Sequence, residues 1–165
     1  MVGRPPMTQP LFHIVPAAPT AGREWTFVIP APCEWITANK ITGTYNRYVR
    51  AKLTRPWRKA SCDAAEREDL PTGLDCVRID AIARYHTSHP PVRDRDNLRP
   101  TLKAVIDGLG PAKTSVRKGK THRYPGYGLI PDDNDRHLAG SDITLERVPG
   151  PGRDELVLII KEIIR

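Results

Sequence analysis

Cys76-Val77-Arg78-Ile79-Asp80-Ala81-Ile82-Ala83-Arg84-Tyr85 alternates, with Val77, Ile79, Ala81 and Ala83 on one side and Arg78, Asp80 and Arg84 on the other. Successive strand side chains point to opposite faces, so this stretch reads as a strand with one face buried. It runs into Pro90-Pro91, after which Leu98, Leu102, Val105, Ile106 and Leu109 recur at helical spacing as far as a Gly110-Pro111 stop. A half-buried strand followed by an amphipathic helix is the nucleus of a layered α/β fold.

Working outward, Glu24-Trp25-Thr26-Phe27-Val28-Ile29-Pro30 is rich in aromatic and β-branched residues and reads as a first strand. Between Thr44 and Glu68 no glycine occurs, and Tyr45, Tyr48, Val49, Leu53, Trp57, Ala60 and Ala64 mark one face of a helix that Pro56 should kink or interrupt. Its other face carries Arg47, Arg50, Lys52, Arg55, Arg58 and Lys59, either an ordinary solvated surface or a set of phosphate contacts. Residues 112–128 read as a long loop rich in glycine and lysine. Asp142 to Val148 and Glu155 to Ile164 read as closing strands joined by Pro149-Gly150-Pro151-Gly152. The expected architecture is α/β (α+β), a small mixed four-stranded sheet packed with two main helices. The expected organisation is a proline-rich arm over residues 1–22 and one domain over residues 23–165.

The chain has 165 residues, of which 26 are Lys or Arg and 19 Asp or Glu, for a formal charge of +7. Such an excess attracts polyanions such as nucleic acid, although it also serves solubility. Three cysteines, at 33, 62 and 76, are too sparse for a disulfide framework or a CxxC zinc site and read as reduced thiols. There is no apolar run of membrane-spanning length and no signal-peptide core at the start, so the expected location is the cytoplasm, with no membrane partner. The apolar content of 39% is modest for so small a sheet, and dimerisation would help it bury enough surface.

The chemistry-bearing segment is Arg93-Asp94-Arg95-Asp96-Asn97-Leu98, at the junction of the second strand and second helix. Two Asp at i and i+2 of an extended segment project to the same side and can share one ion, and carboxylate oxygens suit a hard cation such as magnesium. Asp96 alone reads first as a helix cap. A second acidic run, Pro131-Asp132-Asp133-Asn134-Asp135, alone reads as a turn. Carboxylates beside a phosphodiester repel it, however, so a basic DNA-binding protein has reason to group them where a divalent ion offsets the repulsion. His86 and His89 flank a strand end without a nearby third soft ligand. No GxSxG, HExxH or GxxxxGK[ST] segment occurs.

Asp94-Arg95-Asp96-Asn97-Leu98, then Lys103-Ala104-Val105-Ile106-Asp107-Gly108-Leu109, then Leu129-Ile130-Pro131-Asp132-Asp133 resemble three segments of the RusA family of Holliday junction resolvases. These are its DxDNL stretch, its KAxxDxL helix and its downstream paired Asp. The likeness covers roughly residues 24–164, leaving out the proline-rich start. It implies a homodimeric, RusA-like endodeoxyribonuclease that resolves four-way DNA by paired nicks. Asp94, Asp96 and Asp133 would hold Mg2+, for which Mn2+ could substitute, and Lys103 would join them as a catalytic residue. The chain departs from the family pattern by about one extra helical turn between Asp96 and Lys103, which makes Arg99 the alternative cation. Lys103 could instead simply pair with Asp107. Arg93, Arg95, Arg99, Lys113, Arg117, Lys118, Lys120 and Arg123 are the candidate DNA contacts. Two rival functions share these residues. One is a nuclease for flaps, forks or other branched DNA; the other is a noncatalytic DNA-binding module whose aspartates are caps and turns.

Overall fold

The computed structural model describes residues 20–41, 46–86 and 94–164. Strands β1 (Thr20–Pro30), β2 (Val77–Tyr85), β5 (Leu138–Arg147) and β6 (Glu155–Ile164) form one sheet in the order β1-β6-β2-β5. β6 lies antiparallel to both β1 and β2, whereas β2 and β5 run parallel, so the sheet is mixed. Helices α1 (Asn46–Arg67) and α2 (Arg99–Leu109) contact each other. Strands β3 (Lys113–Arg117) and β4 (Lys120–Tyr124) form a separate hairpin. No helix among the described residues is long and apolar enough to cross a membrane.

The alternation in β2 has the expected outcome. Val77, Ile79, Ala81 and Ala83 are buried, and Phe27, Leu158, Ala81 and Ile143 align across the four strands as one row of the core. Trp57 of α1, Leu98 just before α2, and Leu102, Val105 and Leu109 along α2 belong to the same cluster. Trp35 and Trp57 stack with ring centroids 5.0 Å apart, an arrangement that adds to the area they bury. No disulfide joins Cys33, Cys62 or Cys76.

The two helices approach closely at Gly108, where an added Cβ would overlap Ser61 Oγ and the Arg58 carbonyl oxygen. The buried Ser61 hydroxyl lies 2.9 Å from the Arg58 carbonyl and 3.0 Å from that of Val105, which satisfies it at the crossing. Thr101 is also fully buried: it accepts from the Ile36 amide and donates to the Ile36 carbonyl, each at 2.9 Å. These two bonds fasten α2 to the segment that follows β1.

Four expectations need correction. α1 runs unbroken through Pro56, which removes one amide donor without ending the helix. Tyr48, assigned to the apolar face, is exposed, whereas Arg58, assigned to the solvated face, is buried. The stretch 112–128 is not a plain loop, because the β3–β4 hairpin occupies its centre and turns at Lys118 and Gly119, both with positive φ. Two consecutive positive φ values match the turn whose twist suits a two-residue hairpin. Finally, β1 already begins at Thr20 and β5 at Leu138, each earlier than its β-branched run suggests.

Candidate active site

Asp94 has extended backbone angles and caps the short 3₁₀ helix Arg95–Leu98, its Oδ1 accepting from the Asp96 amide at 3.0 Å. The two aspartates therefore do not lie side by side on an extended segment. Asp94 takes the capping role that sequence assigned to Asp96, and the Asp96 carboxylate is left for the solvent side. Leu98, fully buried, anchors the turn, and Pro100 sits in the first turn of α2, where a missing amide costs nothing.

The buried face of α2 leaves Arg99, Lys103 and Asp107, spaced four apart, along its outer side. Arg99 Nε donates to Asp96 Oδ1 at 3.0 Å, and its Nη2 lies 4.0 Å from Asp142 Oδ1. One turn on, Lys103 Nζ lies 2.8 Å from Asp107 Oδ1 and also hydrogen-bonds Asp133 Oδ2. Lys113, the first residue of β3, reaches Asp133 Oδ1 at 3.5 Å. Arg95 Nη1 meets Asp142 Oδ2 at 3.4 Å.

Asp133 arrives from a distant segment for a traceable reason. Leu129 and Ile130 are fully buried, and backbone bonds from Gly128 to the Gly110 carbonyl and from Leu129 to the Leu109 carbonyl, both 2.9 Å, tie the segment to the end of α2. The acidic run that follows divides its labour. Asp132 Oδ1 accepts from the Asp133 amide and Asp132 Oδ2 from the Asn134 side chain, at 2.8 and 3.0 Å, so Asp132 shapes the turn while Asp133 meets the lysines.

The electrostatics follow from this geometry. The Lys103 hydrogen bond holds the Asp133 carboxyl far below the usual carboxylate range against the opposing effect of burial, and the charges of Lys103 and Lys113 add to it. Burial disfavours the Lys103 ammonium, but its bonds to Asp107 and Asp133 outweigh that and raise its pKa above the ordinary lysine value. The site is thus a row of carboxylates from the 3₁₀ turn, α2, the 131–135 turn and β5, neutralised by Arg99 and Lys103.

Asp96 and Asp133 therefore meet one helix face, each through a different cation. Among the described residues no three His, Cys, Asp or Glu side chains stand close enough together to hold a metal ion. Carboxylates are the donor type that a hard cation prefers, and here Asp96, Asp107, Asp133 and Asp142 are each engaged by an Arg or Lys side chain. Arg93 lies outside the described residues, as does His89. Arg95, Arg99 and Lys113 are all engaged by carboxylates, whereas Arg117, Lys118, Lys120 and Arg123 stand exposed on the hairpin. Asp142 was missed by sequence reasoning, because a polar residue in a half-buried strand gives no signal of its own. No protein-family model matches the chain, and no curated protein matches it.

Proposed function

We propose that the chain is a magnesium-dependent endodeoxyribonuclease for branched DNA, with the four-way junction as its substrate and RusA-like character. The observation that carries this reading is the convergence on one face of α2 of Asp96, from the 3₁₀ turn, and Asp133, from thirty residues beyond Lys103, beside a strongly basic hairpin. A structural role alone gives a cationic protein little reason to concentrate carboxylates on the surface beside its hairpin cations.

Asp94, Asp96 and Asp133 would hold the ion, with Mn2+ as a substitute for Mg2+, which requires these carboxylates to come closer together than they stand when Asp96 pairs with Arg99 and Asp133 with Lys103. When bound, the ion supplies Lewis acidity toward the phosphate oxygens. The chain's own residues do the rest. Arg117, Lys118, Lys120 and Arg123 hold the backbone through phosphates, which fixes register without reading sequence. Lys103 or Arg99 would supply positive charge toward the scissile phosphate as negative charge builds there. Resolution by paired nicks needs two equivalent sites, which a two-fold homodimer in the cytoplasm provides.

The test is cutting of synthetic four-way junction, flap, fork and linear duplex substrates in magnesium and in chelator. Magnesium-dependent nicks placed symmetrically in the junction support the reading. Equal cutting of flaps or forks would favour the broader branched-DNA specificity, and binding without cutting in either condition would leave a DNA-binding module.

A further inference from the structure

The Arg58 guanidinium is buried between α1 and the β3–β4 hairpin, at only 8% exposure, yet its hydrogen bonding is incomplete. Nε donates to the Pro125 carbonyl at 2.7 Å, and the guanidinium carbon lies 5.5 Å from the centre of the Tyr124 ring. Its Nη2 has no partner. Ser115 of β3 lines the same cleft as Arg58, and its buried hydroxyl also has none. Unpaired buried polar atoms are costly, and a buried guanidinium more so, which makes two of them at one seam a feature that calls for a ligand.

Two clefts meet at Arg58 and Tyr124. One, of about 450 Å³, includes Ser115, Lys113 and Arg117 in its walls; the other, of about 510 Å³, includes Arg55 and Arg123. Neither wall contains a carboxylate residue. Both unpaired groups can donate to the same kind of acceptor, and every charged side chain lining the two clefts is positive, so the complementary group is an oxyanion. Each cleft is larger than an inorganic phosphate requires and leaves room for an attached sugar or base.

We propose that this seam binds a phosphodiester of a nucleic-acid strand, with Arg58 Nη2 and Ser115 Oγ donating to its non-bridging oxygens. This deepens the nuclease reading and rests on its nucleic-acid partner. Lys113 lines the first cleft and contacts Asp133. A strand seated there is therefore led toward the carboxylate row, and the site positions DNA without taking part in the chemistry. Guanidinium recognises phosphate through paired donors that an ammonium cannot reproduce.

The experiment is fluorescence anisotropy of a labelled single-stranded oligothymidine in chelator, with wild type, Arg58→Lys, Ser115→Ala and Lys161→Ala. We expect Arg58→Lys to weaken binding about tenfold and Ser115→Ala about threefold, with Lys161→Ala unchanged. Because Arg58 is buried, a second measurement uses unmodified protein: the Arg58 side-chain Nε–H signal in a proton–nitrogen NMR spectrum should shift and saturate with the oligonucleotide. Unchanged affinity in both cleft variants, or an Arg58 signal that stays still while the oligonucleotide binds, overturns the proposal and leaves the nuclease reading intact. Thymidine monophosphate or inorganic phosphate binding more tightly than the oligonucleotide would assign the seam to a small anion and also overturn it. A wild-type protein that binds neither oligonucleotide nor junction would refute both.

Discussion

Lys103 of α2 hydrogen-bonds Asp133, thirty residues further along the chain, while also holding Asp107 one turn along its own helix. The contact joins the acidic 131–135 turn to α2 through a single ammonium group. It is also the part of the site with a defined pH signature.

Asp133 is depressed in the folded state, so its contribution is present above the unfolded carboxyl value and is lost as pH falls toward the folded one. Lys103 is raised, so its contribution holds below the unfolded lysine value and is lost as pH rises through the folded one. Wild type should therefore exceed Asp133→Asn in stability by a constant amount between about pH 5 and pH 10, with the gap closing below about pH 4. Solvent screens a lysine that is 54% exposed, so the gap should be only about 1 kcal/mol. Urea unfolding across pH measures it; a gap unchanged at pH 2 would contradict the pairing.

Lys103→Met should act in opposite directions on metal and on catalysis. Removing the ammonium frees Asp107 and Asp133, so Mn2+ affinity without DNA should rise by about threefold or more, since a competing cation has gone. Cutting should fall by about a hundredfold if Lys103 stabilises charge at the phosphate. Calorimetric Mn2+ titration and a cleavage rate read the two effects. If cutting survives in this variant and is lost in Arg99→Ala, Arg99 is the working cation.

Gly108→Ala would place a methyl group against Ser61 Oγ and the Arg58 carbonyl, where backbone must move to admit it. The expected loss is about 3 kcal/mol, outweighing alanine's better helix propensity of about 1 kcal/mol. Thermal unfolding checks the sign. An unchanged or raised midpoint would mean that α1 and α2 do not cross so closely.

Replacing Lys118 and Lys120 at the hairpin turn by Ala should reduce the slope of log affinity against log salt by about 1.8 for duplex DNA. Junction binding across a salt series measures this. A slope equal to that of wild type would make the turn a bystander.

Much of the architecture was legible because period and burial agree. Val77, Ile79, Ala81 and Ala83 alternate and are buried, and Leu98, Leu102, Val105, Ile106 and Leu109 share one helical face that is buried throughout. Arg58 defied the same logic. Its charge suggested solvent, whereas Tyr124 of the hairpin lies against it and the following Pro125 supplies a carbonyl, a tertiary fact that no local spacing contains. The hairpin itself had a signal in Lys118-Gly119, flanked by Thr114 and Val116 on one side and Thr121 on the other, but the surrounding lysine and glycine content obscured it. In the site, Asp96 and Asp133 were legible as a pair of distant acidic segments. Their placement along the Arg99 and Lys103 row depended on how the 128–130 segment is tied to the end of α2, and the presence of Asp142 on how β5 lies against the 3₁₀ turn.

The most direct test of the account is the nicking rate on a four-way junction for wild type and Asp96→Asn, in magnesium and in chelator, with junction binding measured alongside. Wild type should cut only with magnesium, and Asp96→Asn should bind the junction about as tightly while cutting at least about a thousandfold more slowly. Comparable cutting by Asp96→Asn, or cutting by wild type that continues in chelator, would contradict it.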